Sequence, residues 1–134
     1  MDISQRATGL QSSLIRKIAE EGMKLDDVIP LWFGEGCWST SDIAVKAATD
    51  ALAAGDHFYQ PNNGATELRQ EIRHYLKSLY DYEASLSQIT VTASGMQGLA
   101  LTAQAIATPG DEVVCIGPVW PNLAETFKIS GADV

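Results

Sequence analysis

The stretch from residue 89 to residue 116 limits the possible folds more than any other part of the chain. Ile89-Thr90-Val91-Thr92-Ala93 is rich in β-branched side chains, which favour extended backbone, and it ends at Ser94-Gly95. Leu99, Ala103 and Ile106 then recur at helical spacing, Pro109-Gly110-Asp111 interrupts them, and a second apolar run covers residues 112–116. Strand, helix and strand in this order predict a right-handed crossover between parallel strands, so the expected fold class is α/β.

The residues before this unit read as helical layers. Leu10, Leu14 and Ile18 form an apolar stripe opposite Arg16, Lys17, Glu20 and Glu21, predicting an amphipathic helix that stops near Gly22. A short extended piece over 28–33 leads to the turn Gly34-Glu35-Gly36. Ser41-Asp42 suits a helix start, with Ile43, Ala47 and Ala51 as the buried stripe of a helix ending near Gly55. Leu68, Ile72, Tyr75, Leu76 and Leu79 predict a further helix from Ala65 to about Tyr80, with Glu67, Arg69, Glu71 and Arg73 on its exposed face. After Pro118 and Pro121 a last helix is expected over residues 122–130, and residues 131–134 resemble the turn into a third strand. A parallel sheet of two or three strands would leave apolar faces and edges uncovered, so a truncated chain is expected.

At 134 residues with 46% hydrophobic content the chain can build one modest core. Nine basic against seventeen acidic residues give a net charge of -8, which opposes binding to nucleic acid or to an anionic membrane. The most apolar stretch, around residues 98–107, is too short to cross a bilayer. The first residues lack the pattern of a secretion signal, and a cytoplasmic protein is expected. Cys37 and Cys115 lie far apart with no metal-ligand spacing, so neither a disulfide framework nor a metal site is expected. Cys115, inside Val113-Val114-Cys115-Ile116, reads as a small core residue.

Two places can carry chemistry. A helix starting directly after a strand aims backbone N–H groups and the positive end of its dipole at the sheet edge, and Ser94 and Gly95 add a hydroxyl and room for close approach. That arrangement suits a phosphate, and it equally suits a helix cap followed by a tight turn. No dinucleotide or nucleoside-triphosphate motif accompanies it. Pro118-Val119-Trp120-Pro121 follows the next strand; there Trp120 is either a packing residue or a rigid face for stacking an aromatic ring.

Together the motifs resemble a known family. Phe58-Tyr59-Gln60-Pro61-Asn62-Asn63-Gly64 with Glu67-Leu68-Arg69, then residues 89–92 with Ser94-Gly95 and Gln97, then Pro109-Gly110-Asp111-Glu112-Val113, then Gly117-Pro118-Val119-Trp120-Pro121 are similar, in type and order, to class I/II (fold type I) aminotransferases dependent on pyridoxal phosphate. The resemblance spans residues 31–134. It implies an N-terminal arm and substrate-side loop over residues 1–40 and the start of a cofactor-binding large domain over residues 41–134. It also implies that Ser94, Gly95 and Met96 hold the cofactor phosphate, that Trp120 stacks on the pyridine ring, and that Gly34 lies near the substrate carboxylate. Tyr59 would reach the phosphate in the neighbouring subunit of a homodimer. Where the family commonly has proline and then aspartate-phenylalanine after Gly-Glu, this chain has Gly36, Cys37 and Trp38, and Ser41 replaces a frequent proline.

The implied reaction moves an amino group between an amino acid and a 2-oxo acid. It needs a Schiff-base lysine, a buried aspartate and a carboxylate-binding arginine that the family carries beyond the matched region, so no residue here is assigned as catalytic and the chain alone is expected to be inactive. Lys17, Lys24, Lys46, Lys77 and Lys128 all fall on or beside predicted helices. The alternatives are a β-lyase of the same fold and a non-catalytic effector-binding or interaction module. An effector domain of a transcription regulator would require a basic DNA-binding segment before Leu31, which the sequence does not show.

Overall fold

The computed structural model describes residues 2–134, and these are mainly helical. In chain order the helices are α1 (Gln5–Thr8), α2 (Leu14–Gly22), α3 (Asp42–Ala53), α4 (Thr66–Tyr80), α5 (Gly95–Ile106) and α6 (Pro121–Ser130), with a 3₁₀ turn at Leu86–Gln88 before α5. They fall into two compact units: one takes in the chain up to Gly36 together with Ser94–Val134, the other Cys37–Ala93.

In the first unit, Ser13 starts α2 by accepting the Arg16 N–H on its hydroxyl. The helix buries Ala19 completely, while the predicted stripe residues Leu14 and Ile18 remain exposed. Gly22 ends it against Trp32, and a Cβ added at Gly22 would come within 2.2 Å of the indole ring. Helix α5 packs on α6, with Ala103 buried on the first and Ala107 buried just beyond its end, while the buried Thr126 of α6 donates its hydroxyl to the Asn122 carbonyl at 2.6 Å. Pro121 occupies the first turn of α6, where its missing N–H costs nothing, and Gly131 closes the helix at φ +99°. Helix α1 lies on α6, and the Arg6 guanidinium donates to the carbonyls of Ile129 and Ser130, placing a cation at the negative end of that helix.

The second unit contains α3 and α4. Arg69 leaves α4 to donate to the carbonyls of Leu86 and Ile89, which ties the helix to the 3₁₀ turn. Ala84 and Ile89 are buried, and the Ser85–Gln88 capping box fixes the turn. Gly64, at φ +94°, sits so close to Val91 that a Cβ would come within 2.6 Å of the valine Cβ, and the Val91 N–H donates to the Asn63 carbonyl.

Four expectations are corrected. The strand–helix–strand unit does not form as parallel strands: among the described residues no strand is assigned, and pairing is limited to one parallel bridge between Glu112 and Asp133. The reason is that extended backbone becomes a strand only with a neighbour to share its hydrogen bonds. The Ile89 carbonyl is taken by Arg69 and the Val91 N–H by Asn63, while residues 112–116 meet only the short partner at Asp133, through Val113 N–H to Asp133 and Asp133 N–H to Asp111. Val114 and Ile116 are accordingly 90% and 88% exposed, and Cys115 is half-buried rather than enclosed in a core. In α3 the expected buried stripe is open, with Ile43 82% exposed. Arg69, expected on an exposed face, is partly buried and structural.

Candidate functional site

The first unit brings several of the sequence-selected residues to the beginnings of α5 and α6. Ser94 caps α5, its hydroxyl accepting the Gln97 N–H at 3.1 Å, and the 12-residue helix starts at Gly95. A Cβ built on Gly95 meets no atom within 4 Å, so a ligand can approach the backbone at this positive helix end. Met96 is half-buried and lines a cavity of ≈ 370 Å³ with Leu10, Ala100, Asn122 and Ile129.

Trp120 stands immediately before α6, 48% exposed, and forms a wall of a second cavity of ≈ 290 Å³. Gly34 lines the same cavity, with Trp32, Phe33, Arg16 and Asn122. The chain therefore places the loop glycine and the candidate stacking tryptophan around one space. Ser94 and Gly95 line neither cavity. Tyr59 belongs to the second unit, where its side chain is fully exposed beside the stacked rings of His57 and Phe58, 4.8 Å apart.

Two cavity residues were not singled out by the sequence. Asn122 borders both spaces from the first turn of α6. Arg16, on the side of α2 opposite the apolar stripe, has its guanidinium 5.2 Å from the centre of the Phe33 ring. The one available signal was the unusual aromatic density of Trp32, Phe33 and Trp38, which offers flat faces to a nearby cation.

The charges nearby are fixed by local bonds. Glu125, beside the Met96 cavity, has its carboxyl held below the ordinary range by a hydrogen bond from Lys128 and then by the Gln11 N–H. Asp111 is lowered by the backbone N–H of Thr108 and then by its hydroxyl. Four of the five lysines, Lys24, Lys46, Lys77 and Lys128, pair with carboxylates close by in sequence. Among the described residues no group of three histidine, cysteine or acidic side chains is arranged to hold a metal, and no helix is long and apolar enough to cross a membrane.

The family model for aminotransferase class I and II matches residues 26–134, most of the chain. The chain belongs to the class I and II aminotransferase family. Aspartate aminotransferase of Pyrococcus horikoshii is 32% identical over 130 residues, covering 97% of this chain and 33% of that protein. A probable N-acetyl-LL-diaminopimelate aminotransferase of Bacillus subtilis is 32% identical over 132 residues, covering 97% and 33%. Among solved structures, aspartate aminotransferase of Thermus thermophilus with maleate superposes with a TM-score of 0.92 at 28% identity, covering 99% of this chain and 36% of that one. The chain thus spans about a third of the length of the relatives it matches. Although the expected strands are not laddered, nearly the whole chain superposes on about a third of Thermus thermophilus aspartate aminotransferase.

Proposed function

We propose that this chain supplies part of the cofactor and substrate site of an aminotransferase that moves an amino group between an amino acid and a 2-oxo acid with pyridoxal phosphate. The observation that carries the proposal is the shared cavity of Gly34 and Trp120, in the same unit as a helix whose first residue, Gly95, is open to approach. These residues fit the cofactor: an uncovered helix N-terminus suits its phosphate, and a half-exposed indole suits its ring. When bound, pyridoxal phosphate supplies an electron sink for chemistry at the carbon bearing the amino group.

In this proposal the backbone N–H groups of Ser94, Gly95 and Met96 hold the phosphate, Trp120 stacks on the ring and restricts its tilt, and the Gly34 backbone meets the substrate carboxylate. Tyr59 reaches the phosphate of a neighbouring subunit, making the site one of a homodimer. Residues 1–40 act as arm and substrate-side loop, and residues 41–134 begin the cofactor-binding domain. The enzyme works in the cytoplasm. None of the five lysines is assigned to catalysis, and the 134-residue chain alone is inactive. The aminotransferase names of the relatives support transfer over elimination.

Equilibrium dialysis of the purified chain against pyridoxal phosphate tests the cofactor assignment. Stacking contributes about 0.5–1.5 kcal/mol, so Trp120→Ala is expected to weaken binding by up to about tenfold. Equal affinity of the two proteins would refute the stacking role. Turnover of any amino acid and 2-oxo acid pair by the purified chain with cofactor would refute its inactivity.

A further inference from the structure

We propose that Arg16 is a positioning residue: by covering the Phe33 ring from α2 it fixes the place of Gly34 in the cavity shared with Trp120, and it acts through that ring rather than on a ligand. The inference rests on the aminotransferase function proposed above and adds to it the contact that sets the substrate-side loop.

Little else holds that loop. Among the described residues no hydrogen bond, from main chain or side chain, involves residues 26–36. Backbone without such bonds is ordered only by what its side chains touch. All of these residues are exposed except Trp32 and Phe33, which are half-buried, and both reach back to α2. Trp32 rests on Gly22, where even a Cβ would find no room, and the Arg16 guanidinium stands 5.2 Å from the centre of the Phe33 ring. Arg16 and Gly22 are six residues apart, about 9 Å along a helix, so two successive aromatic side chains grip α2 at separate points.

Gly34 depends on this grip more than its neighbours do. It has no main-chain bond and no atom within 4 Å of the place where a Cβ would stand, so only the chain on either side decides where its backbone lies. Glu35 and Gly36 after it are exposed and unbonded, which leaves Phe33 as the adjoining anchor. The Arg16 side chain makes no hydrogen bond or ion pair to the described residues, and its recorded contact is the Phe33 ring. Arg16, Trp32, Phe33 and Gly34 all line the ≈ 290 Å³ cavity, so a ring that moves takes the wall with it. An exposed cation over an aromatic face shifts an equilibrium about two- to fivefold, enough to favour one position of a loop that has no other ties.

The test pairs NMR relaxation of the Gly34 amide in the 134-residue chain with titration of two probes: phosphopyridoxylglycine, which carries a carboxylate, and pyridoxamine phosphate, which does not. In Arg16→Met the order parameter of the Gly34 amide should fall below that of the native chain while the urea midpoint stays the same. Preference for phosphopyridoxylglycine should drop about two- to fivefold with the affinity for pyridoxamine phosphate unaltered, a split that general loosening of the fold would not give. Arg16→Lys, which keeps a cation for the ring, should restore most of both. Phe33→Leu, with Arg16 intact, should reproduce the Arg16→Met result, and the double variant should be no worse than either. An unchanged order parameter in Arg16→Met overturns the proposal, as does a mobile Gly34 with an unchanged preference. A loss in Arg16→Met that Phe33→Leu does not share also overturns it, because Arg16 would then meet the ligand directly. If Arg16→Met does not fold, native behaviour in Phe33→Leu overturns it. Failure of the native chain to bind either probe rejects the cofactor reading and leaves the Gly34 amide to decide: order lost in both single variants supports the positioning role, and order kept overturns it.

Discussion

The two units hold themselves together in opposite ways. In the first, α5 and α6 meet through buried alanines and a threonine, a close approach of two backbones with little side-chain volume between them. In the second, α4 and the segment after it are joined by one guanidinium that reaches two main-chain carbonyls, with Ala84 and Ile89 as the buried apolar residues. A close-packed seam resists added volume, whereas a polar tie resists removal of a charge. Each region should therefore be most sensitive to a substitution that the other would tolerate.

The largest effect is expected for Arg69→Met, which keeps the length of the side chain but removes both of its bonds, leaving the Ile89 carbonyl without the guanidinium and the Leu86 carbonyl with the Ile89 N–H alone. The loss should be about 3 kcal/mol, given about 1.5–3 kcal/mol for a hydrogen bond to a charged group. Urea unfolding measures it, and hydrogen exchange should speed up in the segment around Leu86–Gln88. A change near zero would show that the guanidinium is incidental and that the polar-tie description is mistaken. Next is Ala103→Leu, which forces three extra carbons into a fully buried position in the α5 and α6 seam and should cost about 2 kcal/mol. An unaltered or higher urea midpoint would mean that the seam has slack.

The smallest effect concerns pH. Glu125 is held below its ordinary value of 4.5 by Lys128 and Gln11, so its folded pKa is lower than its unfolded one. Its stabilising contribution is complete above 4.5 and disappears as pH falls through the lowered folded value. Unfolding midpoints measured across that acidic window should therefore drop more for the native chain than for Glu125→Gln. Parallel pH curves would remove Glu125 from the forces fixing Gln11 to α6.

Much of the helical organisation was legible because local chemistry writes it. Ser41 and Ser94 stand at helix starts, Pro121 sits in a first turn, and Gly22 and Gly131 mark ends, all recognisable from neighbours within a turn or two. The strands were misjudged because Ile89, Val91 and Val113 specify extended backbone without specifying a partner. Pairing depends on distant residues: Arg69 and Asn63 answer for one segment, and Asp133 is the partner of the other. The stripe on α3 failed for a related reason, since Ile43 at helical spacing identifies an apolar face but not what covers it. At the candidate site, Gly34 and Trp120 were selected through their motifs, and the structure gives them a common cavity. Arg16 escaped notice because helical periodicity placed it among outward charges, and only the path of the chain through Trp32 and Phe33 brings an aromatic face beneath it.

Gly22 gives the most economical lever on that cavity. The residue that completes α2 is also the floor on which the Trp32 indole rests, so helix length and wall position depend on the same missing side chain. A methyl group introduced there would push the indole aside while touching no ligand, reshaping the chamber from behind. The shape of the cavity can thus change through a position outside its lining, and a survey confined to lining residues would credit the change to the wrong amino acid.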